Sequence, residues 1–355
     1  MIEIRENVCL APYTTLQVGG PARYVAEPEN EDGVIEALCW AQRRALPVFV
    51  LGGGSNLLVS DAGFDGLVTH ICISGIDARD DGGKRIYSAG AGVEWDRLVA
   101  QAVAENCAGL ECLSGIPGTV GGTPVQNVGA YGQEVSATIV RVRGVEASTG
   151  ERVEFGNADC GFHYRLSRFN GADAGRYILT HVEYALQPGG APKIAYADLK
   201  RHFEGASCPS LPEVREAVLA IRRTKGMVLD ENDSDSRSAG SFFKNPVVSR
   251  AVLERIAAGS AVPVPHFEAA GGNVKLAAAW LIEQAGIARG FTLGPVGISG
   301  KHTLALVNRG GATAADVLRL KAYVQRRVHE RFGVELLPEP VMLGFGEVNP
   351  ASATK

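Results

Sequence analysis

The chain has no C-x-x-C pair, no apolar run long enough to cross a bilayer and no excess of positive charge. Its seven cysteines, Cys9, Cys39, Cys72, Cys107, Cys112, Cys160 and Cys208, are odd in number and scattered. That excludes a disulfide framework and the close ligand spacing of a structural zinc site, so no metal is expected and the thiols read as small buried residues in a reducing compartment. With 35 Lys+Arg against 39 Asp+Glu and a net charge of −4, the chain lacks the basic field that a nucleic acid or an anionic membrane would require. The first residues, MIEIRENVCLAPYTTL, show no basic segment followed by an apolar stretch, and a soluble cytoplasmic protein is expected. Three nucleotide or hydrolase signatures are also missing. There is no Walker loop, and the nearest approach to a dinucleotide fingerprint, Gly90-Ala91-Gly92, is spoiled by Trp95. No G-x-S-x-G elbow exists to support a hydrolase triad.

What is present is an ordinary globular composition, 46% hydrophobic and 21% charged over 355 residues, long enough for two or three domains. Val34, Ile35, Leu38 and Ala41 recur near helical spacing after Asn30, and Pro47 then leads into the apolar strand VFVL. Two further strand-like runs follow, GLVTHICIS and KRIYSAG, then a helix over about 95–105. Helical patterns return over 213–225, over 274–285 and over 313–332, the last opened by a Thr313/Asp316 capping box and closed by Gly333. The stretch DENDSDSRS reads as a mobile or solvent-facing loop, and LALVN as a strand. The fold class expected is α+β.

Glycine is where the sequence becomes specific. LGGGSN follows a strand directly, a form that presents backbone N–H groups to phosphate oxygens. GLECLSGIPGTVGGTPVQNVGAYGQEV carries seven glycines without a sustained period, which implies close backbone approach to a ligand rather than a plain surface loop. RSAGSFFKNP sets Ser241 between a glycine and two phenylalanines, with Lys244 and Asn245 behind it. By residue type alone this is a buried turn, while Arg165 in HYRLSRF and Glu339 in LPEP read as a surface arginine and a solvated acid.

Taken in order, TTLQVGGPA, LGGGSNLLVSD, SGIPGTVGGTPVQNVGAYGQE, FHYRLSRF, AGSFFKNP, VKLAAAWLIEQ and LPEP resemble the UDP-N-acetylenolpyruvoylglucosamine reductase (MurB) family over nearly the whole chain. The resemblance implies an α+β enzyme with a two-part FAD-binding region of the vanillyl-alcohol-oxidase-like type, residues 1–75 and 76–226. A C-terminal α/β substrate-binding domain (227–346) and a tail (347–355) would follow. It implies non-covalent FAD, NADPH as hydride donor, and reduction of UDP-N-acetylglucosamine enolpyruvate to UDP-N-acetylmuramate in peptidoglycan precursor synthesis, hence a part in cell-wall biogenesis, cell shape and division.

Carried over residue by residue, FAD contacts fall on Gly52, Gly53, Gly54, Ser55, Asn56 and Leu57, and on Ser114, Ile116, Pro117, Gly118, Gly121, Gly122, Thr123 and Asn127. Ser241 is similar to the family's proton donor, and Arg165 and Glu339 to the pair that stabilises the intermediate. Tyr196, Lys225, Asn245, Arg289 and His302 match substrate-binding positions, and the segment around Tyr196 resembles the subclass in which a tyrosine-bearing loop closes over substrate. Two departures stand out: GMVLDENDSDSRSAG is longer than the family's proline-containing version, and Pro340-Val341 replace the valine and arginine of some members. The expected partners are small molecules only, and with no helix face left apolar and unassigned the chain is expected to be a monomer. Two other readings compete. An oxidase of the same flavoprotein superfamily would leave AGSFFKNP unexplained and often tethers flavin through a His or Cys that LGGGSN lacks. A non-enzymatic binding module would have no use for Arg165, Ser241 and Glu339.

Overall fold

A computed structural model describes residues 2–205 and 208–346; the expected tail at 347–355 lies outside the described residues. The first layer is a sheet in the order Ile4–Cys9, Pro21–Ala26, Phe64–His70, Val48–Leu51. The outer pair is antiparallel and the other two pairings are parallel. Its helix, Glu31–Gln42, starts as the sequence indicates, with the Asn30 side chain accepting from Gly33 N and with Glu31 and Asp32 in the first turn. Val34, Ala37, Leu38 and Ala41 form its buried face.

The second layer is an antiparallel sheet, Arg152–Gly156, Ile139–Glu146, Tyr177–Pro188, Lys84–Gly90, Ile76–Asp81. Helices Trp95–Ala104 and Leu211–Thr224 stand against it, the latter opened by a Ser210/Glu213 capping box. Asp96 joins these helices to the glycine run. Its carboxylate takes both Nη atoms of Arg215 at 2.6 and 2.7 Å and the Gly115 amide at 2.6 Å. Arg222, two turns further on, donates to the Gly115 carbonyl at 3.2 Å.

The remaining residues build a core around the helix Ala314–Phe332, whose Thr313/Asp316 box and left-handed Gly333 (φ 64) are as the sequence predicts. This core also takes in Leu16, Val18 and Leu58 from the first layer. Asp61 binds the Ala314 and Ala315 amides at 2.7 and 2.9 Å, capping the helix from a different part of the chain.

Three expectations need correction. The helix expected over 274–285 divides: Val274–Leu276 is a strand between Val247–Val248 and His266–Glu268, and only Ala278–Gln284 is helical. The apolar stripe was real, but Leu276 N donates to Pro246 O, and Asn245 Oδ1 takes the Ala278 amide at the point where the helix begins. The acidic loop faces solvent at Asp230, Glu231, Asn232 and Ser234, as one of its two readings has it, but it is tied down further on: Asp235 is buried against Ser299 at 3.0 Å, and Lys301 holds Asp233 at 2.7 Å. Of the thiols, only Cys107, Cys112 and Cys160 are buried; Cys9, Cys39 and Cys208 are exposed and Cys72 lies between.

Burial of Asp96 opposes its ionisation, but Arg215 and the Gly115 amide outweigh it and hold the carboxyl below the usual range. Asp96→Ala strands Arg215 and is expected to cost about 3 kcal/mol in urea unfolding at pH 7. A depressed folded pKa contributes stability above the unfolded value and loses it as pH falls through the folded one. The gap between wild type and variant should therefore be full above about pH 5 and close below about pH 4.

Candidate active site

The strand Val48–Leu51 runs into residues 52–56, and this loop meets the second glycine run face to face. A Cβ at Gly53 would lie 2.7 Å from Gly118 Cα, one at Gly52 2.8 Å from Thr119 Oγ1. Ser55 Oγ donates to Pro117 O at 2.9 Å. The two loops touch through positions where only hydrogen fits. Behind the second, Val120 N and Gly121 N donate to Val93 O and Ala91 O, so the failed fingerprint at 90–92 serves as a brace.

Among the described residues, the amides of Gly52, Gly53, Gly54, Ser55 and Asn56, and of Ile116, Gly118 and Thr119, have no acceptor. A Cβ at Gly122 would meet nothing within 4 Å. Unpaired amides on two abutting loops form a concavity suited to a pyrophosphate, and the residues present fit FAD. Ser114, Thr123 and Asn127 are buried and their side chains bond within the protein, Ser114 to Glu111 O, Thr123 to Val120 O and Asn127 to His163 O. They shape the cradle from behind. Leu57 is likewise buried, in the strand Leu57–Val59.

Arg165, Ser241 and Glu339 come together from distant parts of the chain. Arg165 sits in the left-handed region (φ 56) at the tip of a turn closed by reciprocal His163 and Leu166 backbone bonds. Its Nη1 donates to Gly129 O at 3.0 Å, and its Nε lies 3.3 Å from Glu339 Oε1. That contact is a charge approach without hydrogen-bond alignment, so a buried N–H stays unsatisfied. Burial holds the Glu339 carboxyl above its ordinary range despite Arg165 and Lys244 nearby. Glu339 N donates to Phe242 O at 2.9 Å, which places Ser241 one residue from the pair. Ser241 is half-buried and follows Gly240, whose φ of 69 turns the chain there.

The substrate-binding candidates line or flank a cavity of 390 Å³ bounded by Thr224, Lys225, Glu283, Arg289, Lys301 and His302 among others. Asn245 adjoins it by capping the helix that carries Ala279 and Glu283. Burial pushes His302 down to about 4, so at neutral pH it offers a neutral ring rather than a cation. Lys225 bonds Asp198 at 3.0 Å and lies 5.8 Å from the Tyr131 ring centroid; Tyr131 packs edge-on against Tyr196 at 5.3 Å. Tyr196 itself is 40% exposed.

Sequence reasoning missed Tyr131, Asp198 and Lys275. Tyr131 lay inside the quoted glycine run. Lys275 stands 4.0 Å over the Tyr164 ring next to Arg165, and burial, then Arg165, lowers its pKa. In the sequence it is an unremarked lysine within the stretch expected to be helical.

The comparisons accord with this geometry. Residues 22–156 match the FAD binding domain family, and residues 232–343 match the C-terminal domain of UDP-N-acetylenolpyruvoylglucosamine reductase. The chain is 47% identical to that reductase from Thermobifida fusca over 350 residues, covering 95% of this chain and 97% of the relative. It is 46% identical to the Mycobacterium tuberculosis enzyme, covering 96% and 95%. Among solved structures, the reductase (MurB) from Thermus caldophilus superposes with a TM-score of 0.66 at 26% identity, covering 97% of this chain and all of that one.

Two tests separate the parts of the cradle. Gly53→Ala forces the loops apart and should lower the Tm of the FAD-free protein. Gly122→Ala should leave that Tm unchanged, within the effect of about 0.5 kcal/mol usual for a surface change, and weaken FAD binding in a fluorescence titration. For Glu339, a folded pKa above the unfolded one means that ionisation of the buried acid costs stability as pH rises. Glu339→Gln should raise Tm at pH 7, with the gain vanishing below about pH 4.

Proposed function

The chain belongs to the UDP-N-acetylenolpyruvoylglucosamine reductase family, and we propose that Arg165, Glu339 and Ser241 carry its chemistry on the substrate side. It is an FAD-dependent oxidoreductase of peptidoglycan precursor synthesis, reducing UDP-N-acetylglucosamine enolpyruvate to UDP-N-acetylmuramate with NADPH. The division into FAD-binding parts 1–75 and 76–226 and a substrate part 227–346, a monomeric state and a cytoplasmic location complete the reading; no described helix is long and apolar enough to cross a membrane.

The amides of residues 52–56 and of Ile116, Gly118 and Thr119 would hold FAD, which when bound would supply the hydride-transfer chemistry that connects NADPH with the terminal methylene of the enolpyruvyl group. As that carbon is reduced, negative charge builds on the neighbouring carbon and on the substrate carboxylate. Arg165 binds the carboxylate through the N–H that has no aligned partner in the protein. Glu339, whose ionisation burial disfavours, donates a second hydrogen bond to the growing charge when it carries its proton. Ser241 delivers a proton to the carbon beside the carboxylate, and a fresh proton from solvent restores its hydroxyl. The sum is one hydride and one proton added across the double bond.

At the far end of the substrate, Lys225 and Arg289 face the diphosphate, while neutral His302 and the Asn245 amide give directed hydrogen bonds. Tyr196, exposed and hinged against Tyr131, closes over it.

The observation that carries this reading is the convergence of Arg165, Ser241 and Glu339 through the 3.3 Å charge approach and the Glu339 N to Phe242 O bond. Ser241→Ala tests it under anaerobic stopped flow. NADPH should bleach the flavin at the wild-type rate, and re-oxidation by the enolpyruvyl UDP-sugar should slow by about 10³-fold. Equal slowing of both half-reactions would remove Ser241 from the proton-donor role.

A further inference from the structure

We propose that Glu27, His70 and Cys72 form a binding site for a divalent cation of the zinc class, behind the first glycine cradle. Glu27 directly follows the strand Pro21–Ala26, His70 ends the strand Phe64–His70, and Cys72 lies two residues beyond it. These strands are the two central ones and run parallel, so all three residues gather at or just past their C-terminal ends. One ligand atom from each lies within 4.8 Å of the others.

The spacing within the group is that of a coordination shell. His70 Nδ1 is 3.1 Å from Glu27 Oε1 and 3.6 Å from Cys72 Sγ. Zinc bonds of about 2.0 Å to nitrogen and oxygen and about 2.3 Å to sulfur give tetrahedral edges of about 3.3 and 3.6 Å. An imidazole, a thiolate and a carboxylate are the donor types that suit a borderline-soft ion, and three protein ligands leave a fourth position for water.

The surroundings supply the outer support such sites need. Arg5 holds the second oxygen of Glu27 at 2.8 Å, and Tyr13 donates to the first at 3.3 Å while packing edge-on against His70. Sequence spacing conceals the set, because Glu27 stands 43 residues from His70. The site also adjoins the cradle: a Cβ at Gly54 would lie 1.9 Å from the Tyr13 carbonyl oxygen.

The test uses chelator-treated, FAD-loaded enzyme titrated with cobalt chloride, whose four-coordinate thiolate complexes absorb in the red, beyond oxidised flavin. One equivalent should bind with those bands, be displaced by zinc chloride, and raise Tm. Cys72→Ser and His70→Asn should each weaken binding by about 100-fold or more, while flavin content and reductase rate stay at wild-type values and report correct folding. A variant lacking the exposed thiols Cys9, Cys39 and Cys208 should bind as wild type does. Absence of the four-coordinate bands in wild type overturns the proposal. So does binding that survives Cys72→Ser or disappears with the exposed thiols.

Discussion

The site depends on one short backbone ladder. The strand Val341–Leu343 returns to pair in parallel with Leu57–Val59, directly after the first glycine loop. Asn56 stands at the junction: its carbonyl accepts from Val341 N at 3.0 Å and its side chain reaches the Glu339 carbonyl at 3.4 Å. The loop proposed to hold the cofactor's phosphates and the residue proposed to hold the intermediate's charge are therefore fixed to each other by backbone bonds. Glu339 N then bonds Phe242 O, bringing the Ser241 segment into the same frame. A shift of the last strand would move acid and proton donor together, away from the cradle, at a point where an error of 1 Å matters for transfer chemistry.

Within that frame the charges are left unbalanced. Arg165 and Glu339 approach without an aligned hydrogen bond, and Lys275 and Lys244 stand close enough to feel the pair. A folded protein optimised for stability alone would have satisfied the guanidinium. Leaving a buried N–H open costs on the order of 1–3 kcal/mol, a cost that an anionic ligand relieves when its carboxylate arrives. The left-handed turn at Arg165 belongs to the same pattern, since it fixes the side chain at the tip of a loop that its own backbone bonds hold closed.

Local chemistry was legible where it is self-contained. The helix following Asn30, the Thr313/Asp316 box, the Gly333 stop and the VFVL strand each rest on residues a few positions apart, and each is found. The helix over 274–285 failed because pairing with two strands from elsewhere overrode a stripe that fits either period. The acidic loop was legible only as solvent-facing, because the anchors of its second half, Ser299, Lys301 and Arg309, are more than sixty residues away for the bonds they make. The proposed catalytic trio was invisible to composition and spacing, and only the likeness of its flanking motifs to a known family singled it out. Asp198 gave no signal, since a helix acid becomes part of the site only once Lys225 is folded beside it.

The segment VKLAAAWLIEQ joins the two ends of the substrate. Its first part places Lys275 at the Arg165 turn, and four residues later Ala279 begins the wall of the diphosphate cavity, with Glu283 one turn beyond. Strand and helix are each rigid over that distance, and Asn245 fixes the joint by capping Ala278. A diphosphate seated, as proposed, against Lys225 and Arg289 would thereby be held at a set distance from Arg165 and Glu339, so binding energy gained far from the reacting carbon would serve to orient it. Lys225 is meanwhile bound to Asp198, in the short helix that begins after Tyr196. On the proposed role of Tyr196, an anion that drew Lys225 from Asp198 would release that helix and its tyrosine to close. Closure would then follow arrival of the diphosphate, and water would be shut out only when the enolpyruvyl group is already positioned.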